Sequence, residues 1–181
     1  MPKKHVFHGP TAYVNCLTEN SVETVTVANN HSMDYSHNGL LATTKYLKQE
    51  DMNFAGIGEN LADASAPVYV EGENIRAAVI AATSSFHESW AAGNQRLDMK
   101  GRPGVNPLHF QNKFHVTQEY YDMLQKLAGE IDINAQQNLD VKEGFAVAPE
   151  GSFKFGGHEF IPDNANFKET IPSAADVQRI T

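Results

Sequence analysis

Asn29, Asn30 and His31 form a polar loop at the C-terminal end of an alternating β-branched run, residues 22–27. An asparagine carbonyl oxygen and an imidazole nitrogen can each ligate a divalent metal, and a histidine can also move protons. In open α/β sheets, ligands bind just beyond the carboxyl ends of strands, which is where this loop falls. Asn30 and His31 are therefore candidate metal ligands, and His31 is also a candidate catalytic acid. The plain alternative is that the asparagines satisfy loop backbone and His31 is a surface residue. His87 and Glu88 follow an apolar run at 75–82 and form a second candidate pair. An imidazole and a carboxylate there could bind metal or transfer a proton, or could simply be solvated. Arg102, Asn106 and His109 lie in a stretch rich in glycine and proline. A guanidinium matches carboxylate and phosphate geometry, so Arg102 and Asn106 are candidate substrate-binding residues. An incidental polar turn is the alternative. His5, His8, His37, His115 and His158 have no partner at motif spacing and read as structural or surface residues. Trp90 reads as a packing anchor, and Cys16 as a small buried residue rather than a nucleophile.

These side chains need elements to position them. The run 22–27 predicts a strand, and a short strand at Val6-Phe7 and a helix over 10–20 precede it. A helix over 38–50 follows, with Leu40, Leu41, Thr44 and Leu47 facing inward. Residues 54–58 predict a short strand ending in glycines, and Asn60 is placed to cap a helical turn through Ala64. Strands at 67–71 and 75–83 join through Gly72-Glu73-Asn74 as a hairpin. The second is nearly continuously apolar, as expected of a strand buried on both faces. Residues 84–112 predict a long loop-rich segment, and such loops are usually functional. Phe114-His115-Val116 predicts a strand. Thr117 opens a helix whose stripe is Tyr120, Leu124, Leu127 and Ile131. Gly156-Gly157 predicts a hairpin turn, and Ser173 with Asp176 opens a final helix. Strands and helices in this order give an α/β class with a mixed sheet and a single domain over 1–181.

Composition narrows the function. The chain has 181 residues, 41% of them apolar and 20% charged, an ordinary globular balance. Fourteen basic against twenty-two acidic residues give a net charge of −8, which disfavours nucleic acid and anionic membrane surfaces as partners. No apolar run is long enough to span a bilayer. The two lysines near the N-terminus lack the apolar stretch of a secretory signal. One cysteine excludes an intramolecular disulfide.

Residues 25–41 read Val-Thr-Val-Ala-Asn-Asn-His-Ser-Met-Asp-Tyr-Ser-His-Asn-Gly-Leu-Leu. This string resembles the bacterial capsule-synthesis CapA family, the poly-γ-glutamate biosynthesis proteins. Gly56-Ile57-Gly58-Glu59-Asn60-Leu61, Pro67-Val68 and the run 75–82 continue the resemblance. Residues 86–90 and 101–108 are similar to a branch-specific insertion, here 84–112. That family is in turn similar to calcineurin-like metallophosphoesterases, which hold two divalent metals between the ends of two sheets. The resemblance implies a partial calcineurin-like sandwich. It matches Asn30 to a metal-ligating asparagine and His31 to the neighbouring acid, with Mn, Fe or Zn as the cofactor in the parent protein. No Gly-Asp strand motif precedes residue 28 and no Gly-His-x-His follows. The expectation is therefore an incomplete, central portion of a longer protein, itself inactive and without a tight dinuclear centre. The parent is expected at the cell surface, with any membrane contact through segments outside this chain. It would act in capsule or poly-γ-glutamate biosynthesis, either hydrolysing a phosphoester or using the metallophosphatase fold for another purpose. The alternative is a non-catalytic module that binds an anionic polymer or a partner protein. An apolar strand short of neighbours further implies a homo-oligomer.

Overall fold

In the computed structural model, which describes residues 5–148 and 150–181, backbone pairing begins where the β-branched run predicts it. Helix α1 (Tyr13–Glu19) precedes strand β1 (Thr24–Thr26). Helix α2 (Ser36–Gln49) then crosses to β2 (Asn53–Ala55), which pairs with β1 in parallel. This is a compact β-α-β unit, because parallel neighbours need a crossover. Leu40, Thr44 and Leu47 form the buried face of α2 at helical spacing. Gly56, at φ +97°, breaks the next extended stretch, so β3 (Ile57–Gly58) is a separate strand. Helix α3 (Leu61–Ser65) is capped by Asn60, whose side chain accepts from Asp63 N–H. Strands β4 (Val68–Glu71) and β5 (Arg76–Val79) form an antiparallel hairpin. A 3₁₀ turn (Glu88–Trp90) and β6 (Gly104–Val105) follow, and β6 pairs with β3.

The chain falls into two compact units, the first of residues 1–109 and 174–181. The second, residues 110–173, holds β7 (Phe110–Val116), α4 (Gln118–Glu130), α5 (Ala135–Lys142), β8 (Phe153–Phe155), β9 (His158–Pro162) and β10 (Phe167–Pro172). Its sheet has the order β10-β7-β9-β8, with β7 and β9 parallel and the other pairs antiparallel. Gly156 and Gly157 both take positive φ, as a two-residue type I′ hairpin turn requires. Phe160 stacks on Phe114 and lies tilted against Phe153, and Tyr121 of α4 meets Phe153 edge-on at 5.1 Å. Helix α6 (Ala174–Ile180) belongs to the first unit. That unit is centred on Met33, Leu40, Ile57 and Val105, with Phe54, Phe86 and Trp90 packed against them.

The class is α/β with small mixed sheets. Several sequence expectations need correction. Val6-Phe7 is not a strand, because Phe7 N–H donates to the Asp34 carboxylate rather than to a neighbouring strand. The run 75–82 is not buried on both faces. Its regular part, β5, pairs with β4 alone among the described residues, and Arg76, Ala77 and Ala78 are exposed. The buried face of α4 is also turned from the expected stripe. Ala128 is buried and Tyr121 and Leu124 half-buried, while Tyr120, Leu127 and Ile131 are exposed. The Tyr121–Phe153 contact sets that rotation. Within the loop-rich segment 84–112, Ala91, Ala92, Val105 and Asn106 are buried. Cys16 is exposed. The two N-terminal lysines lie outside the described residues.

Candidate functional site

The loop after β1 is tied to itself. Asn29 Oδ1 accepts from His31 N–H at 2.8 Å, and Ser32 Oγ accepts from Asn29 N–H at 3.1 Å while donating to the Val27 carbonyl. These local bonds, typical of Asn and Ser in turns, help to fix the loop. Asp34 sits three residues after His31, and its side chain is only 2% exposed. Asp34 Oδ2 is 2.9 Å from His31 Nδ1 and also accepts from Phe7 N–H at 2.8 Å. The Phe7 ring meets the His31 ring edge-on at 4.5 Å. A carboxylate opposite Nδ1 selects the tautomer with the proton on Nδ1. The Nε2 lone pair is then available as a base or a ligand.

His87 has the opposite arrangement. It caps the 3₁₀ turn, and its Nδ1 accepts from Ser89 N–H at 3.2 Å, with Ser89 Oγ at 2.9 Å. A neutral ring with Nδ1 accepting carries its proton on Nε2, so it presents a donor. His31 and His87 line the same open groove, of about 730 Å³, together with His5, Asn30, Ser85 and Phe86. One wall thus offers an imidazole acceptor and the other an imidazole donor. That combination suits an oxyanion with an adjacent transferable proton.

Of the residues singled out from sequence, Asn30, His31 and His87 come together here. Glu88, Arg102 and Asn106 do not line the groove. The Glu88 side chain is 78% exposed and faces His109, with Oε2 3.4 Å from Nε2. Arg102 donates from Nε to the Ala91 carbonyl and from Nη2 to the Glu88 carbonyl, both at 3.0 Å. Asn106 is fully buried and donates to the Ala81 carbonyl at 2.9 Å. Arg102 and Asn106 therefore brace the chain behind the groove. Sequence reasoning missed Asp34, although its spacing from His31 was visible. It also missed His5, for which no spacing signal exists. Among the described residues, no group of three or more His, Cys, Asp or Glu is placed to hold a metal ion. The donors here do not fit a two-metal centre, since even catalytic sites with one zinc generally use three protein ligands.

A family model described as "Bacterial capsule synthesis protein PGA_cap" matches residues 1–141. The chain belongs to the PGA_cap family. The PGA_cap match takes in both groove walls and leaves α6 outside. The uncharacterized proteins y4sH and y4uA of Sinorhizobium fredii are each 32% identical over 100 residues, covering 55% of this chain and 22% of theirs. The capsule biosynthesis protein CapA of Bacillus anthracis is 33% identical over 73 residues, 40% of this chain and 18% of that protein. The chain thus spans about a fifth of the length of these curated relatives. Among the described residues, no helix is long and apolar enough to cross a membrane.

Proposed function

We propose that this chain is the anion-receiving part of a capsule or poly-γ-glutamate biosynthesis protein that works at the cell surface. Its groove takes a phosphoester or a carboxylate of an anionic polymer. The capsule role is supported by membership of the PGA_cap family and by the likeness to a relative named as a capsule biosynthesis protein. The observation that carries the reading of the site is the pairing of His31 and His87 on one groove with complementary ring nitrogens. His87 Nε2–H donates to an anionic oxygen, and His31 Nε2 accepts a proton from the group bound beside it. The frame we propose is calcineurin-like. A divalent ion (Mn, Fe or Zn) at Asn30 and His31 would need more donors than the described residues group there. The reading is therefore built without one.

Calorimetry with inorganic phosphate and with a short poly-γ-glutamate tests the proposal. Binding that falls about tenfold in both His31→Ala and His87→Ala is expected. Equal affinity in wild type and both variants would refute it. Turnover of a chromogenic phosphodiester with Mn²⁺ tests whether this portion hydrolyses by itself. We expect background rates, as for an incomplete portion of a longer protein under either reading of the family. A robust rate abolished by His31→Ala would assign phosphoester hydrolysis instead.

We further propose that the chain forms a homo-oligomer through the hairpin β4–β5. Among the described residues its strands pair only with each other, and Tyr69, Ile75 and, just after β5, Ile80 are exposed. Light scattering at micromolar concentration should give a mass above 19.9 kDa. A clean monomer would reject the proposal.

A further inference from the structure

The wall that carries His87 is braced from helix α6. Arg179 donates to the Pro107 carbonyl and, through Nε, to Asn106 Oδ1 at 3.3 Å. Asp176, one turn earlier and 5% exposed, pairs with Arg179. One Asp176 oxygen accepts from His109 N–H at 2.7 Å and holds His109 Nδ1 at 2.6 Å. From this segment the ties run on to the groove. Thr83 N–H donates to the Asn106 carbonyl and Leu108 N–H to the Thr83 carbonyl, at 3.0 and 2.8 Å. The His109 ring stands edge-on to Phe86 at 5.0 Å, and Phe86 and His87 both line the groove. A carboxylate on Nδ1 fixes the orientation of an imidazole, and the fixed ring then fixes whatever packs on it.

We propose that Asp176 is a positioning residue for the groove. Through His109 and Phe86 it sets where His87 presents its Nε2 proton to an anionic group. The consequence is that the groove is completed by a helix outside residues 1–141, the part that the family model matches. The inference rests on the reading of the groove as an anion site. Burial pushes the Asp176 carboxyl up, but the His109 backbone N–H, the His109 ring and Arg179 outweigh it and hold the group below the usual carboxylate range. Asp176→Asn therefore removes a charge while keeping the shape.

The test compares histidine-ring ¹H–¹⁵N spectra of the full chain in wild type, Asp176→Asn and Asp176→Glu, with calorimetry against inorganic phosphate. In Asp176→Asn the His87 ring resonances should shift, the His31 ring resonances should stay, and phosphate affinity should fall about fivefold. Asp176→Glu should recover part of both effects. Unmoved His87 resonances with unchanged affinity, alongside a lower melting temperature, would overturn the proposal and leave Asp176 a stabilising residue only. Failure of the anion-site reading looks different: wild type would not bind phosphate, and the His87 shift alone would then decide the positioning role. Should Asp176→Asn fail to fold, Arg179→Lys keeps the positive charge but loses the planar fork. It should give a smaller shift of the same His87 resonances, and an unshifted spectrum would overturn the proposal.

Discussion

His31 has one ring nitrogen against a buried carboxylate, and that contact decides what the other nitrogen can do. Asp34 Oδ2 serves the ring and the Phe7 N–H together. Its removal frees the imidazole to rotate and to change tautomer. We expect Asp34→Ala to weaken phosphate binding about tenfold, near the value of one charge-assisted hydrogen bond. Calorimetry checks this, and an unchanged affinity would detach Asp34 from the site. At this scale the sequence was informative wherever partners are close along the chain. Asn29, His31, Ser32 and Asp34 satisfy one another within six residues, so the loop is readable from the string itself. Arg102 and Asn106 were not readable in this way. Their side chains meet carbonyls 11 and 25 residues away, and no local pattern encodes such a meeting.

Elements meet closely at the glycines that follow β2. Gly56 has φ +97°, and a Cβ there would lie 2.5 Å from Ala28 Cβ and 2.9 Å from Ala81 Cβ. Its carbonyl also accepts from Asn106 N–H at 2.8 Å. Gly56→Ala should therefore cost about 1–3 kcal/mol through overpacking, with backbone strain added. Gly129, inside α4, has nothing within 4 Å of a built Cβ and no positive φ. Gly129→Ala should stabilise by about 0.5 kcal/mol through helix propensity. Urea unfolding measures both, and the opposite signs are the prediction. Helix α2 and the two hairpins follow from period and turn residues alone. The rotation of α4 does not, because Tyr120 and Tyr121 are chemically alike and only Phe153 distinguishes them.

At the scale of the whole molecule, Asp163 in the second unit and Asp176 in the first are both held below the ordinary carboxyl value of 3.8. In the second unit the Asn164 backbone N–H and then the His115 ring hold Asp163 low, and in the first unit Asp176 is held low by His109 and Arg179. A folded value below the unfolded one gives stability that is fully present above the unfolded value and lost as pH falls through the folded one. Urea midpoints should thus drop as pH falls below the ordinary carboxyl value of 3.8, and Asp163→Asn and Asp176→Asn should each flatten that slope. A slope unchanged in both variants would refute it. The sequence by itself determined the α/β class, the loop after β1 with His31, and the capsule-family resemblance that the PGA_cap match supports. These rest on local periodicity and on residues adjacent in the chain. Only the tertiary structure decided that His87 faces His31 across a groove, that Arg102 and Asn106 brace the wall behind it, and that Asp176 reaches His109. Those meetings join segments tens of residues apart, and backbone closure and core packing select them rather than any spacing along the chain.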